Sequence, residues 1–121
     1  MSIQTHNGIK VMTIAADGPL LASEADALDL IGQTYGEEID LIALPVSRLA
    51  PEFFTLSTQL AGHFFQKMQN YRMRLAIVGD LSTQLAASKA LNDFVGETNR
   101  IGHHLFVLDH DALLRALDGE V

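Results

Sequence analysis

The architecture of this chain hinges on Leu75-Ala76-Ile77-Val78-Gly79-Asp80. Four consecutive apolar residues without polar alternation mark a strand covered on both faces, as in parallel sheets, and Gly79-Asp80 ends it. Two similar runs lie on either side in the sequence. Leu41–Leu44 stops at Pro45, which has no N–H to give to a ladder, and Leu105-Phe106-Val107-Leu108 follows later. Helical patterns separate the three runs. Alternating strands and helices imply βαβ units, right-handed crossovers and a largely parallel sheet with helices packed against it.

Upstream, Asn7-Gly8 stands between two extended arms, Ile3–His6 and Ile9–Ala15. Two residues able to take φ > 0 make a type I′ turn, so this dipeptide predicts a hairpin at or near the sheet edge, and Asp17-Gly18-Pro19 ends its second arm. Ser23 is placed to cap a helix with Glu24 and Asp26 in its first turn, Leu28, Ile31 and Tyr35 as its apolar stripe and Gly36 at its C-cap. Pro51 then opens a helix of about five turns, because Phe53, Ser57, Leu60, Ala61, Phe64, Met68 and Tyr71 recur in steps of three and four. Phe53, Leu60 and Phe64 define its core face. Phe54 and Phe65 fall off the centre of that face, either covered by another element or presented to a partner. Ser82 is expected to cap the next helix, which carries Leu85, Ala86, Leu91, Phe94 and Val95 and stops near Asn99–Gly102. Ala112–Leu117 forms a short terminal helix. The expected order is ββαβαβαβα: one α/β domain over residues 1–121, with a mixed sheet of four or five strands that is parallel in its centre.

Composition narrows the function. The chain has no cysteine, which removes disulfides, thiolate nucleophiles and Cys-ligated metals. Fifteen acids against eight bases give a net charge of −7, the wrong sign for a generic nucleic-acid binder. Met1–His6 has neither a basic n-region nor an apolar h-region, and no apolar run approaches the ~20 residues of a membrane span, so the expectation is a cytoplasmic protein that neither enters a membrane nor carries a signal peptide.

Candidate chemistry lies at the carboxyl ends of the parallel strands, where ligands gather in open α/β sheets. Asp80, Ser82 and Asp109 are candidate ligand-binding residues there, with Arg48 beside them. Asp80, Asp109 and Asp111 resemble a carboxylate cluster in type, but an acid following a strand is more commonly a cap. Of the five histidines, none has metal-ligand spacing, and His103-His104 adjacent on a strand would face opposite ways, one inward and hydrogen-bonded, the other exposed. No Gly-rich phosphate loop and no Gly-x-Ser-x-Gly elbow occurs. No metal, cofactor or catalytic residue is therefore nominated.

The runs Asn70-Tyr71-Arg72-Met73-Arg74-Leu75-Ala76-Ile77-Val78-Gly79-Asp80 and Asp93-Phe94-Val95-Gly96-Glu97-Thr98-Asn99-Arg100 resemble an uncharacterised bacterial family, the domain of unknown function 4180. That resemblance covers nearly the whole chain and implies no activity. The element order also resembles the STAS domains of anti-sigma factor antagonists. Those carry an Asp-Ser-Ser-Gly phosphorylation switch at the start of the helix after the third strand. Here the matching region, Pro51–Ser57, lacks it, and Ser57 falls on the buried face of the expected helix. What the STAS resemblance implies is an interaction surface on the strand-to-helix junction, at Arg48, Glu52, Phe54, Thr55 and Thr58, meeting a protein partner. The broad apolar helix, and the acidic excess before residue 46 against a basic excess from 46 to 100, further suggest a homodimer.

Overall fold

The computed structural model describes residues 2–119. Strands β1 (Ser2–His6) and β2 (Ile9–Thr13) form the antiparallel hairpin, with Asn7 and Gly8 both at positive φ (51° and 79°) as a type I′ turn requires. The chain continues through α1 (Glu24–Gly32), β3 (Leu41–Pro45), α2 (Leu60–Asn70), β4 (Arg74–Val78), α3 (Ser82–Ala87), α4 (Lys89–Ile101), β5 (Leu105–Val107) and α5 (His110–Leu117). The sheet has five strands in the order β1-β2-β3-β4-β5, antiparallel in the hairpin and parallel between every later pair. This is the mixed α/β sheet that the three apolar runs predict. No helix among the described residues is long and apolar enough to cross a membrane.

Period-two alternation divides the sheet's side chains between two cores. Met12, Ile42, Leu44, Leu75, Ile77 and Phe106 point to the side covered by α1, α2 and α4, where they meet Leu30, Ile31, Phe64, Met68 and Leu91. Val11, Leu41, Ala43, Ala76 and Leu105 point the other way and pack against Leu113 and Leu117 of α5. Strand order rises without reversal, so same-handed crossovers keep the helices of the three crossovers on one side.

The structure corrects several local expectations. The helix from Pro51 to Tyr71 does not form as one unit: Pro51–Phe54 and Leu56–Thr58 are separate 3₁₀ turns, and α2 begins only at Leu60. Thr55 is extended (φ −91°, ψ 98°) and Gln59 is left-handed (φ 64°), conformations that interrupt a helix on both sides of the second turn. Ser57 is consequently exposed rather than buried, and Tyr71 is half exposed at 50%. The helix after β4 is likewise two. Ser88 is extended and its hydroxyl accepts from Leu91 N–H at 3.1 Å, so it caps α4 and separates it from α3. Ser82 is not a cap; the N-cap position of α3 is Leu81.

In α1, Ser23 and Asp26 make the reciprocal capping box, but the buried stripe is Ala27, Leu30 and Ile31, continued by Thr34. Leu28 (39%) is exposed because it lies off that stripe, and Tyr35 (74%) because the helix ends at Gly32 and Gly36 (φ 82°) belongs to the turn beyond it. Leu108 is 62% exposed, since β5 stops one residue earlier. His103 and His104 precede β5 instead of alternating along it, and their rings meet edge to face at 4.6 Å.

Candidate functional site

The turns after β3 and the helices after β4 are neighbours because β3 and β4 pair in parallel, Leu41 against Arg74 through Pro45 against Val78. Gly79 holds them close. Its φ of 149° suits glycine alone, and a Cβ there would stand 2.7 Å from Val46 Cγ2. Between the two segments runs a groove of about 430 Å³. Pro51, Phe54, Thr55, Leu56 and Ser57 form one wall, and Gln84, Ala87, Ser88 and Ala90 form the other. Every lining residue is uncharged.

Phe54 is 8% exposed, so its ring is a wall of the groove rather than a protruding anchor. It meets Phe53 edge to face at 5.3 Å, and Phe53 meets Phe64 in the same way at 5.5 Å. Phe65 is also buried, packing on Phe94 and Phe106 at 5.6 Å each. Both off-centre rings are thus covered within the chain, which removes the uncovered aromatic flank as an argument for a homodimer.

The remaining expected contact residues are placed differently. Thr55 is exposed and lines the groove. Glu52 is exposed outside the lining. The Thr58 hydroxyl lies 2.7 Å from the Thr55 carbonyl and 2.9 Å from that of Glu52, and accepts from Leu60 N–H at 3.3 Å, so it ties the turns to the start of α2. Arg48 is also committed inside the chain. Its guanidinium donates to the carbonyls of Pro19 (2.9 Å), Ala15 (2.9 Å) and Asp17 (3.3 Å), while the Ser47 hydroxyl donates to that of Ala16 (3.0 Å). Together they pin the segment 15–19, with Gly18 pressed on the guanidinium.

Asp80 and Ser82 line a second crevice of about 300 Å³ at the ends of β4 and β5, with Asn99, Phe106 and Leu108. Asp80 accepts from Ser82 N–H at 2.8 Å, and bonds from the Ser82 backbone and hydroxyl hold its carboxyl below the ordinary range. Asp109 does not join them. It is the N-cap of α5, accepting from Ala112 N–H at 2.8 Å, as a cap reading of an acid after a strand predicts. Arg48 borders a third cavity, with Asp26 and Asp29, and shares none with Asp80. Among the described residues no three acidic or histidine side chains gather as a metal site.

His104 is the most perturbed ionisable group. Its Nδ1 accepts from Leu75 N–H at 3.1 Å, which places the neutral ring's proton on Nε2. Burial, then the neighbouring His103 and Arg74, pushes its pKa down to about 4. Arg74 itself donates to the carbonyls of His103 and Gly102.

Sequence reasoning missed the second wall of the groove. Gln84, Ala87, Ser88 and Ala90 are small or polar residues without a motif, and only the pairing of β3 with β4 brings them opposite Thr55. No curated protein and no solved structure matches the chain. The family model described as a domain of unknown function (DUF4180) matches residues 6–117, nearly the full length, and the chain belongs to that family.

Proposed function

We propose that this chain is a non-enzymatic protein-interaction and regulatory module, a single cytoplasmic domain of STAS-like organisation that receives its partner in the groove between Pro51–Ser57 and Gln84–Ala90. The observation that carries this reading is the groove's lining: a buried aromatic wall, small aliphatic side chains and exposed hydroxyls, with no charged group. Such a surface suits an extended or helical peptide whose apolar side chains fill it and whose polar groups meet Thr55, Ser57 and Gln84. The 3₁₀ turns that form one wall are fixed in advance by Thr58, so little ordering opposes binding.

The test compares affinity captures from a lysate by the wild type and by Ala87→Arg, a substitution at an exposed helix end. Partners that bind the groove drop at least tenfold with the variant. Identical partner lists for the two proteins remove the groove. A second reading, a small-molecule binder or enzyme working at the strand ends, draws on the crevice beside Asp80 and Ser82. A metabolite that copurifies with the wild type and is lost in Asp80→Ala moves the assignment there.

A further inference from the structure

We propose that the outer edge of β1 is a self-association surface, where a second copy of this chain lays its own β1 antiparallel and joins the two sheets into one. The two edges of the sheet are treated in opposite ways. At the far edge, β5 has only three residues, and its central residue is already paired on the outer side: Phe106 N–H donates to Asn99 Oδ1 at 2.7 Å and Asn99 Nδ2 donates to Phe106 O at 3.1 Å. A helix side chain thus stands in for a further strand and closes that edge. Strand β1 has five residues, Ser-Ile-Gln-Thr-His, with no proline, no charged carboxylate or lysine, and an unbroken register against β2. Four of the five are exposed. It lacks the devices by which proteins ordinarily blunt an edge.

The hairpin register says which groups are offered. His6 and Ile9 flank the two-residue turn and form a hydrogen-bonded pair, so Gln4–Val11 and Ser2–Thr13 do too. Ile3 and Thr5 therefore turn both N–H and C=O away from β2, and among the described residues no strand lies on that side. Two outward residues spaced by one make the edge self-complementary. A two-fold axis through Gln4 sets Ile3 opposite Thr5 of the second copy and Thr5 opposite its Ile3, and uses all outward groups at once. The two β-branched side chains then meet as cross-strand pairs on the sheet face that carries Met12. Gln4 faces its own copy in a non-hydrogen-bonded pair. No carboxylate, lysine or arginine lies on the strand to oppose the approach, whereas a foreign strand would need a matching register.

Because the chain has no cysteine, a single introduced thiol reads the register directly. Two Cα atoms in a non-hydrogen-bonded antiparallel pair are about 4.5 Å apart, within disulfide reach, so Gln4→Cys is expected to oxidise to a covalent dimer. Ile3→Cys is not, since its copies lie diagonally at about 7–8 Å. In sedimentation over a dilution series the wild type passes from dimer to monomer. Thr5→Pro removes one outward N–H without touching a bond to β2, and stays monomeric throughout with an unchanged circular dichroism spectrum. Ile3→Lys gives the same loss if the proline variant does not fold. A wild type that is monomeric at submillimolar concentration, a dimer that survives both substitutions, or faster cross-linking by Ile3→Cys than by Gln4→Cys overturns the proposal.

Discussion

The two faces of this sheet are built from different materials. All six phenylalanines lie on the side of α1, α2 and α4, in a continuous set of ring contacts running from Phe54 through Phe53 and Phe65 to Phe94 and Phe106. The opposite face holds none. There Ala43 and Ala76 sit at 1% and 0% exposure beneath an eight-residue helix whose anchors are Leu113 and Leu117. Large rings span gaps, so the aromatic side accommodates irregular turns as well as helices. Small alanines instead let one helix lie close to the strands. A helix of two turns has no stability of its own, so α5 depends on that close seat and on its ties to the hairpin: His6 with Asp118 at 2.8 Å and His110 with Gln4 at 3.1 Å.

If the aromatic side is the cooperative core and α5 a dependent lid of secondary structure, substitutions should divide accordingly. Phe64→Ala, at a fully buried position, is expected to cost about 3–5 kcal/mol of global stability, read as a lower urea midpoint with an unchanged slope. A loss near zero would break the comparison at its root. Leu113→Ala is expected to cost about 2–5 kcal/mol, and its signature differs: amides of α5 exchange under native conditions while those of β4 stay protected. Amide exchange of α5 only through global unfolding would make the two faces one unit.

The smallest effect is in pH. His104 packs on Phe65 at 5.2 Å, on the aromatic side, and its pKa falls from 6.5 to about 4. The native state favours the neutral ring, so the unfolded chain binds the proton first. Stability from this group is complete above pH 6.5 and is lost as the pH drops through 4. His104→Asn offers Leu75 N–H an acceptor that does not titrate. Its midpoint is expected to vary less across that interval than the wild type's, with a remaining slope from His103, which burial shifts in the same direction. Equal slopes in the two proteins would assign the titration elsewhere.

The strands were legible because their signal is local: a type I′ dipeptide at Asn7-Gly8 and three short apolar runs between helical patterns. The breaks within helices were not. Phe53, Leu60 and Phe64 keep helical spacing across Thr55 and Gln59 because turn and helix lie on one core, so periodicity reports the shared face and is blind to the interruption. Ser88 lacks the first-turn acids and the capping box that mark Ser23, and sits inside a periodic pattern that reads straight through it. At the candidate site, Arg48 and Thr58 looked available because residue type reveals charge and hydroxyl, not the backbone carbonyls that occupy them.

The bond between His6 and Asp118 joins positions 112 apart in the sequence. At about 5–20 residues per second, a ribosome that has finished the hairpin needs on the order of ten seconds more to deliver its partner helix. Until then Val11 lacks Leu113 and Leu117, the α5 side chains that share its cluster in the folded domain. The lacing of hairpin to α5 thus sets a waiting time during synthesis.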